Sequence, residues 1–288
     1  MGSIRTVGIV GAGTMGLGIA QVCAVSGYQT KLFDVNPDQV ERALRTIDTN
    51  LSFLVAKGKL SEADKRVFQD RIEAVSSLTA LTVDLVIEAA VEKLDIKQEL
   101  FRQLESITAG TAILATNTSS IPISRIGEAL NDPSACVGLH FFNPADRMKL
   151  VEIISGESTR EDVLKRVRDF AAAIGKSAVE AKDSPGFIVN RVARHFYVES
   201  LYLLQNRAAE IPAIDALIRS AGFRMGPFEL MDLIGVDTNL SVTTSIYEGF
   251  GKAHKFEPSP IQQELVKQGK LGKKSGSGFY AYETASKG

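Results

Sequence analysis

A glycine-rich turn between a short apolar run and a helical pattern constrains the fold of this chain more than any other feature. The run Thr6-Val7-Gly8-Ile9-Val10 has the composition of a buried strand, and Gly11-Ala12-Gly13-Thr14-Met15-Gly16 follows it directly. In such a turn the first glycine allows a sharp bend, the second lets the backbone approach a pyrophosphate, and the third permits close helix packing. The helix N-terminus offers free N–H groups to an anion. The motif therefore predicts a dinucleotide site.

The alternation of strand and helix patterns continues through the first half of the chain. Near-continuous apolar runs are typical of parallel strands that are covered on both faces. The candidate strands are Val7–Val10, Thr30–Phe33, Leu85–Ala89, Ala112–Ala115, Cys136–Phe141, Leu150–Ile154 and a last one near Ser177–Glu180. The candidate helices are Met15–Ser26, Gln39–Lys57, Asp64–Arg71, Lys93–Ile107 and one around Glu161–Ile174. This order predicts a Rossmann-like, doubly wound α/β domain.

The alternation of strand and helix patterns ends after Lys182. Asp183-Ser184-Pro185-Gly186 is typical of a turn in which Ser184 caps a helix with Pro185 in its first turn. Helical patterns and loops follow, with almost no strand signal. We therefore predict a dinucleotide-binding domain over residues 1–184 and a smaller, all-helical C-terminal domain over residues 185–288.

Composition excludes several classes of protein. Lysine plus arginine total 33 against 34 aspartate plus glutamate, so a general basic footprint for nucleic acid or an anionic membrane is missing. Apolar stretches such as Leu85 to Val91 are broken by acids well before the ~18–20 residues that a membrane span needs. Cys23 and Cys136 are too few for a disulfide framework or a four-thiolate zinc site. We expect a soluble cytoplasmic protein without a metal, nucleic-acid or membrane partner.

Asp34 strengthens the dinucleotide prediction. It ends the second candidate strand, 18 residues beyond Gly16, where a carboxylate accepts hydrogen bonds from the hydroxyls of an adenosine ribose. The same charge would repel a ribose phosphate, which favours NAD over NADP. The alternative is a tight turn that binds nothing, with Asp34 only starting a loop.

Polar residues follow the later candidate strands. In open α/β sheets ligands lie beyond the carboxyl ends of the strands, so these residues are candidates for a site. They are Glu92, Lys97, Asn117, Ser119 and Asn143. Each of them alone also fits a solvated helix face, a turn or a helix cap.

His140 is the candidate for proton transfer. It lies in the apolar run Cys136–Phe141, and Glu152 lies 12 residues further on, in the next such run. Neighbouring strands could bring the imidazole and the carboxylate into contact, and the carboxylate would then fix the tautomer and stabilise the cationic ring. A buried hydrogen-bonded pair without a catalytic role is the alternative.

The helix predicted after Pro185 carries more apolar residues than one solvent-exposed helix needs, so burial against another element is expected. They are Phe187, Ile188, Val192, Phe196, Leu201, Leu203 and Leu204. His195 shares a face with Ile188 and Val192, which favours a core or interface position over catalysis. His254 fits a solvated loop.

Six motifs, spread in order over essentially the whole chain, match one known pattern together. Besides the glycine motif they are Thr116-Asn117-Thr118-Ser119-Ser120, His140-Phe141-Phe142-Asn143-Pro144, Ser184-Pro185-Gly186-Phe187-Ile188-Val189-Asn190-Arg191, Met225-Gly226-Pro227-Phe228-Glu229-Leu230 and Gly276-Ser277-Gly278-Phe279-Tyr280. The set resembles the L-3-hydroxyacyl-CoA dehydrogenase family, especially its short bacterial 3-hydroxybutyryl-CoA dehydrogenases.

The resemblance implies an oxidoreductase that interconverts (S)-3-hydroxyacyl-CoA, most closely the short-chain 3-hydroxybutyryl-CoA, and 3-ketoacyl-CoA with NAD as cofactor. It implies that His140 is the catalytic base and that Glu152 orients it. Ser119 and Asn190 would bind the reacting oxygens of the acyl chain.

The resemblance also implies the binding sites. Glu92, Lys97, Asn117 and Asn143 would line the cofactor site, while the glycine motif and Asp34 would hold its adenosine half. The acyl-CoA substrate would be contacted by Asn50 and Lys57, and part of the helical C-terminal surface would form a homodimer. Two alternatives remain open, namely a related dehydrogenase of a free hydroxy or sugar acid and a non-catalytic NAD-binding protein.

Overall fold

The structure is a computed structural model that describes residues 3–282. The chain divides into two compact units, of which the first ends at Ser184 and the second begins at Pro185. Among residues 3–282, none of the helices combines the length and the apolarity that a membrane span requires.

The first unit is built on an eight-stranded sheet with the order β3-β2-β1-β4-β5-β6-β7-β8. The strands are β1 (Thr6–Val10), β2 (Gln29–Phe33), β3 (Ile72–Ala74), β4 (Leu85–Glu88), β5 (Ile113–Thr116), β6 (Cys136–Phe141), β7 (Leu150–Ser155) and β8 (Ser177–Lys182). Neighbouring strands pair in parallel, except that β7 runs antiparallel to β6. The order reverses between β1 and β4, so the predicted doubly wound α/β fold is confirmed.

Helices connect most of these strands. They are α1 (Thr14–Val25), α2 (Pro37–Ala56), α3 (Glu62–Asp70), α4 (Leu94–Ile107), α5 (Ile123–Gly127) and α6 (Glu161–Ala173). Local chemistry sets some of their starts: the Asn36 side chain accepts the Asp38 N–H at the start of α2, and Ser61 accepts the Asp64 N–H at the start of α3. Two elements, β3 and α5, were not predicted, because runs of three and five residues carry too little periodicity to detect.

The direction of β7 follows from the length of its connection. Only residues 142–149 separate β6 from β7, and a parallel return needs a crossover of a dozen residues or more. The antiparallel register places His140 directly opposite Glu152. Side chains of directly opposed residues lie on the same face of a sheet, so this register decides that the two can meet.

The second unit is helical, which confirms the predicted class of the C-terminal part. Its helices are α7 (Val189–Gln205), α8 (Ile211–Ser220), α9 (Pro227–Ile234), α10 (Val236–Gly249) and α11 (Pro260–Lys267). A small core forms around Tyr197, Leu201, Ile214, Phe228 and Met231.

One prediction about the start of this unit is wrong. Helix α7 begins at Val189 and is preceded by Ile188 at its cap position, so Ser184 does not cap it. The reason lies in the backbone, because Gly186 and Phe187 have φ values of 73° and 48°, which no right-handed helix contains. His195, predicted in the core or at an interface, is exposed and lies against the ring of Phe256. A core position within the single chain is therefore excluded, and the interface position stays a prediction.

The last motif of the chain is anchored on a buried acid. Asp232 in α9 is 0% exposed and accepts hydrogen bonds from the N–H groups of Phe279 and Tyr280 and from the hydroxyl of Tyr282, each at 2.9 Å. Gly278 passes so close that a Cβ there would lie 2.0 Å from Oδ1 of Asp232. The glycine and the aromatic residues of this motif therefore have a structural role.

Replacing Asp232 by alanine should lower the stability of the second unit. Three donors would lose a charged acceptor, two of them main-chain N–H groups, and we expect a loss of about 3 kcal/mol. Thermal and urea unfolding would measure it. Asp169→Ala, which removes an exposed acid paired with Lys165, is the control and should leave the melting temperature unchanged. Equal melting temperatures for the two variants would contradict the anchor.

Candidate active site

The glycine turn after β1 is tight at two positions and open at the third. Gly11 has a φ of 100°, and a Cβ there would lie 2.6 Å from the carbonyl oxygen of Ala89. A Cβ on Gly16 would lie 1.7 Å from the carbonyl oxygen of Gly11, whereas one on Gly13 would meet nothing within 4 Å. The sequence therefore needs glycine at 11 and 16 for packing, and Gly13 borders open space.

That open space fits the pyrophosphate of a dinucleotide. Gly13 caps α1 without any side-chain hydrogen bond, and the first turn of α1 carries no acid. The first N–H groups of a helix have no partner inside it and carry the positive end of its dipole. A bare, tightly turned helix N-terminus of this kind binds phosphate groups. The residues present thus fit the NAD that the sequence predicts.

Asp34 holds the same turn from the end of β2. Its Oδ2 accepts the N–H of Ala12 at 2.7 Å, and its Oδ1 accepts the N–H of Asn36 at 2.9 Å. An ionised carboxylate has about four acceptor sites, so two remain for the hydroxyls of a ribose. Asp34 therefore shapes the turn, and its predicted contact with the cofactor stays a prediction.

His140 and Glu152 form a buried hydrogen-bonded pair. The Nδ1 atom of His140 lies 2.7 Å from Oε2 of Glu152, and the two residues are 6% and 1% exposed. A carboxylate is an acceptor only, so it binds the tautomer that carries its proton on Nδ1 and makes Nε2 the basic nitrogen. The pair can therefore take up a proton at Nε2 and stabilise the resulting cation.

A second buried cluster lies at the end of β4. Glu88 is 0% exposed, and both of its carboxylate oxygens lie 2.7 Å from Nζ of Lys97, which is 1% exposed. Glu88 also accepts the hydroxyl of Thr116 at 2.7 Å and the N–H of Ala90 at 2.6 Å. The sequence prediction found Lys97 but missed Glu88, although an acid inside the apolar run Leu85–Ala89 was the available signal.

Glu92 extends this cluster to the segment after β5. Its Oε2 lies 3.3 Å from Nζ of Lys97, and its Oε1 accepts hydrogen bonds from the hydroxyls of Thr118 and Ser120. Burial acts to raise the pKa of Glu92, but the Lys97 ammonium and these hydroxyl groups together lower it below its usual value. Glu92 is therefore ionised at neutral pH and holds the segment in place.

Ser119 sits in that segment with its hydroxyl available. Its N–H lies 3.3 Å from Oε1 of Glu92, while its side chain makes no hydrogen bond within the part of the chain that the structure describes. Asn117 is already engaged, because its Oδ1 accepts the N–H of Phe141 at 2.8 Å. The ends of β5 and β6 are thus joined beside His140. Asn143, which is exposed, precedes a cis bond to Pro144.

The remaining predicted residues lie in α2, directly after α2 or in the second unit. Asn190 is the second residue of α7. In α2, Asn50 donates a hydrogen bond to the side chain of Gln21 at 3.1 Å, and Lys57 ends that helix with its ammonium 5.5 Å from the ring centre of Phe53. Their contacts with substrate stay predictions. Residues 3–282 contain no group of three or more His, Cys, Asp or Glu side chains that could hold a metal ion.

The sheet order and the bare glycine turn define the first unit as a dinucleotide-binding domain of the dehydrogenase type, followed by a helical domain. Two family models match the chain: the NAD binding domain of 3-hydroxyacyl-CoA dehydrogenase over residues 6–184, and the C-terminal domain of 3-hydroxyacyl-CoA dehydrogenase over residues 186–282. The chain belongs to the 3-hydroxyacyl-CoA dehydrogenase family, and the resemblance inferred from its motifs is confirmed.

Individual relatives agree with this assignment. The chain is 45% identical over 280 residues to a protein of Escherichia coli K12 named 3-hydroxyadipyl-CoA dehydrogenase; the match covers 96% of this chain and 59% of that protein. It is 40% identical to a probable 3-hydroxybutyryl-CoA dehydrogenase of Bacillus subtilis, covering 97% of this chain and 98% of that one. The crystal structure of an (S)-3-hydroxybutyryl-CoA dehydrogenase from Ralstonia eutropha superposes with a TM-score of 0.95 at 39% identity, covering 98% and 100% of the two chains.

Gly13→Ala should separate cofactor binding from folding. The new methyl group meets nothing within 4 Å among residues 3–282, so the melting temperature should fall by no more than about 2–4 °C, the effect of about 1 kcal/mol for alanine in place of glycine at a helix N-cap. The same methyl group would stand where a pyrophosphate must approach, so we expect at least a tenfold weaker dissociation constant for NADH, measured by fluorescence titration. Gly127→Ala in α5, where a Cβ would meet its nearest neighbours at 3.5 Å or more, is the control. Unchanged NADH affinity in Gly13→Ala would contradict the assigned position of the pyrophosphate.

Proposed function

We propose that this protein oxidises (S)-3-hydroxyacyl-CoA to 3-ketoacyl-CoA with NAD, and catalyses the reverse reduction. The single observation that carries the proposal is the buried hydrogen bond between Nδ1 of His140 and Oε2 of Glu152. It lies at the carboxyl end of β6, the edge of the sheet where ligands of doubly wound folds bind. Membership of the family and the names of the relatives support the thioester as substrate.

The chemistry requires that a proton leave the oxygen of the 3-hydroxyl group while a hydride leaves the carbon that bears this group, so that a C=O bond forms. In the proposal, Nε2 of His140 accepts the proton of the 3-hydroxyl group, and the carboxylate of Glu152 stabilises the imidazolium that forms. Bound NAD supplies the hydride acceptor. In the reverse direction the protonated His140 returns the proton to the carbonyl oxygen.

Binding of the acyl chain is assigned to two side chains. The hydroxyl of Ser119, which has no partner within the described residues, is suited to donate a hydrogen bond to the reacting oxygen. Asn190 would bind the other oxygen of the acyl group through its amide. Asn50 and the exposed cation of Lys57 would contact coenzyme A, whose phosphates are anionic. A short acyl chain, as in 3-hydroxybutyryl-CoA, is the first candidate.

A homodimer is part of the proposal. The helical unit has a groove of about 470 Å³ whose lining includes His195, Phe196 and Leu217, and Val192 and Leu217 are 68% and 69% exposed. Apolar residues clustered on a surface in this way favour association, and we take the partner to be a second copy.

Light scattering should give a mass near twice 31.1 kDa, and Leu217→Lys should shift it to the monomer. A monomeric parent protein would contradict the dimer.

The proposed location is the cytoplasm. Cys23 and Cys136 are free and buried, and burial raises the pKa of each thiol to about 12. Neutral, enclosed thiols of this kind act as small apolar side chains and are compatible with a reducing compartment.

A substrate series tests the function. NADH consumption should be seen with acetoacetyl-CoA and be absent or far slower with free acetoacetate, and reduction of NAD⁺ should be absent or far slower with a free sugar acid. The same assays with NADPH and NADP⁺ test the choice of cofactor. A faster reaction with the free acid would favour the alternative function, a dehydrogenase of a free hydroxy or sugar acid. Binding of NADH without turnover of any substrate would favour the non-catalytic alternative.

His140→Ala should lower turnover of acetoacetyl-CoA by roughly 10²–10⁴-fold, because a positioned acid–base group contributes about that factor. The dissociation constant for NADH should remain within about twofold of the parent value, because the imidazole is assigned to the proton of the substrate and not to a contact with the cofactor. His254→Ala, which removes an exposed imidazole, is the matched control and should keep full activity. If His140→Ala loses NADH binding in the same proportion as turnover, the assignment of His140 as the base is wrong.

A further inference from the structure

The cluster of Glu88, Lys97 and Glu92, called here the carboxylate–lysine cluster, lies where the sheet order reverses. Glu88 is the last residue of β4 and pairs in register with Val10, the residue just before the glycine turn. The N–H of Ala89 donates to the carbonyl of Val10 at 2.7 Å, which ties the two strand ends together. Ligands of doubly wound sheets bind beyond this reversal point.

The cluster contains two carboxylates and only one cation. Nζ of Lys97 lies 2.7 Å from Glu88 and 3.3 Å from Glu92, so the single positive charge is shared between them. The other partners of Glu88 are neutral groups, the hydroxyl of Thr116 and the N–H of Ala90. The sum is therefore one negative charge, and it is held in a fixed place because four hydrogen bonds from three donors surround the carboxylate of Glu88.

Burial makes this charge effective over distance. Glu88 and Lys97 are 0% and 1% exposed at their side chains, so water and salt screen them less than they screen surface groups. Glu92, whose side chain is 41% exposed, is the member that faces outward.

We propose that the carboxylate–lysine cluster sets the preference of the site for the oxidised over the reduced cofactor, and that Glu88 is the positioning residue that makes this possible. Asp34 at the end of β2 and the glycine turn after β1 are assigned to the adenosine and the pyrophosphate, so the nicotinamide half would lie on the other side of that turn, over the end of β4. The nicotinamide ring carries a positive charge in NAD⁺ and none in NADH, so a net negative cluster there would favour NAD⁺. Glu88 acts by fixing Lys97, which in turn fixes Glu92. This inference rests on the proposed function only in taking NAD as the cofactor.

Two variants remove the negative charge by different routes. Glu88→Gln leaves the cluster neutral inside the fold. Glu92→Gln does so at its outward side, where the amide oxygen can still accept the hydroxyls of Thr118 and Ser120. In both, the ratio of the dissociation constant for NAD⁺ to that for NADH should rise by roughly three- to tenfold, the size expected for one charge several ångströms away at an intermediate dielectric. Calorimetry for NAD⁺ and fluorescence titration for NADH give the two constants without any substrate.

A double variant separates charge from shape. Glu88→Gln combined with Lys97→Met removes one charge of each sign and leaves Glu92, so the net charge returns to that of the parent protein. Its ratio of dissociation constants should return to within about twofold of the parent value, even if both affinities fall. A purely structural role for Glu88 would instead make the double variant at least as abnormal as the single one.

Glu99→Gln is the matched control, because it removes an exposed carboxylate from the same helix, α4, and should leave the ratio unchanged. The proposal is overturned if Glu88→Gln and Glu92→Gln change both dissociation constants by equal factors, or if Glu99→Gln shifts the ratio as much as they do. Failure of the proposed function looks different, since the parent protein would then bind neither form of the cofactor or would bind both and turn over no thioester.

Discussion

A carboxylate taken out of water must find charged or hydrogen-bonding partners that offset its lost hydration, and the first unit depends on two that do. Glu88 is surrounded by Lys97 and by hydroxyl and main-chain donors, and Glu152 faces His140 across an antiparallel pair of strands. Both lie in strands that are otherwise apolar, so each is fixed by the packing of the sheet rather than by a mobile loop. The positions of these two carboxylates determine where their polar partners lie at the ends of the strands.

These strand ends form one connected edge. Glu92 links Lys97 to the hydroxyls that follow β5, and Asn117 in that segment accepts the main-chain N–H of Phe141 at the end of β6. Residues that the sequence separates by many positions therefore share a common scaffold, while the interior of the sheet stays apolar. The division has a physical reason, since helices cover the faces of a parallel sheet and ligands bind beyond the carboxyl ends of its strands.

Periodicity and the glycine motif were sufficient to predict the class of the fold and seven of its strands. The features that they did not predict either are too short to give a periodic signal or depend on backbone geometry and on contacts between distant residues. The short β3 and α5 carry too few residues for a periodic signal, and the start of α7 is displaced because Gly186 and Phe187 adopt positive φ values. Glu88 escaped notice for a related reason: a single acid in an apolar run reveals its importance only when Lys97, nine residues later, folds back onto it.

The hydrogen bond between Asn117 and the main chain of Phe141 has a bearing on redesign of the enzyme. In the proposed mechanism, a substitution that repacks the loop around Ser119 to admit a bulkier thioester would pull on the strand that carries the imidazole of His140, so gains in substrate range and losses in rate would arrive together. Directed evolution of this scaffold should therefore find its most tolerated specificity changes at positions that are not tied to that strand.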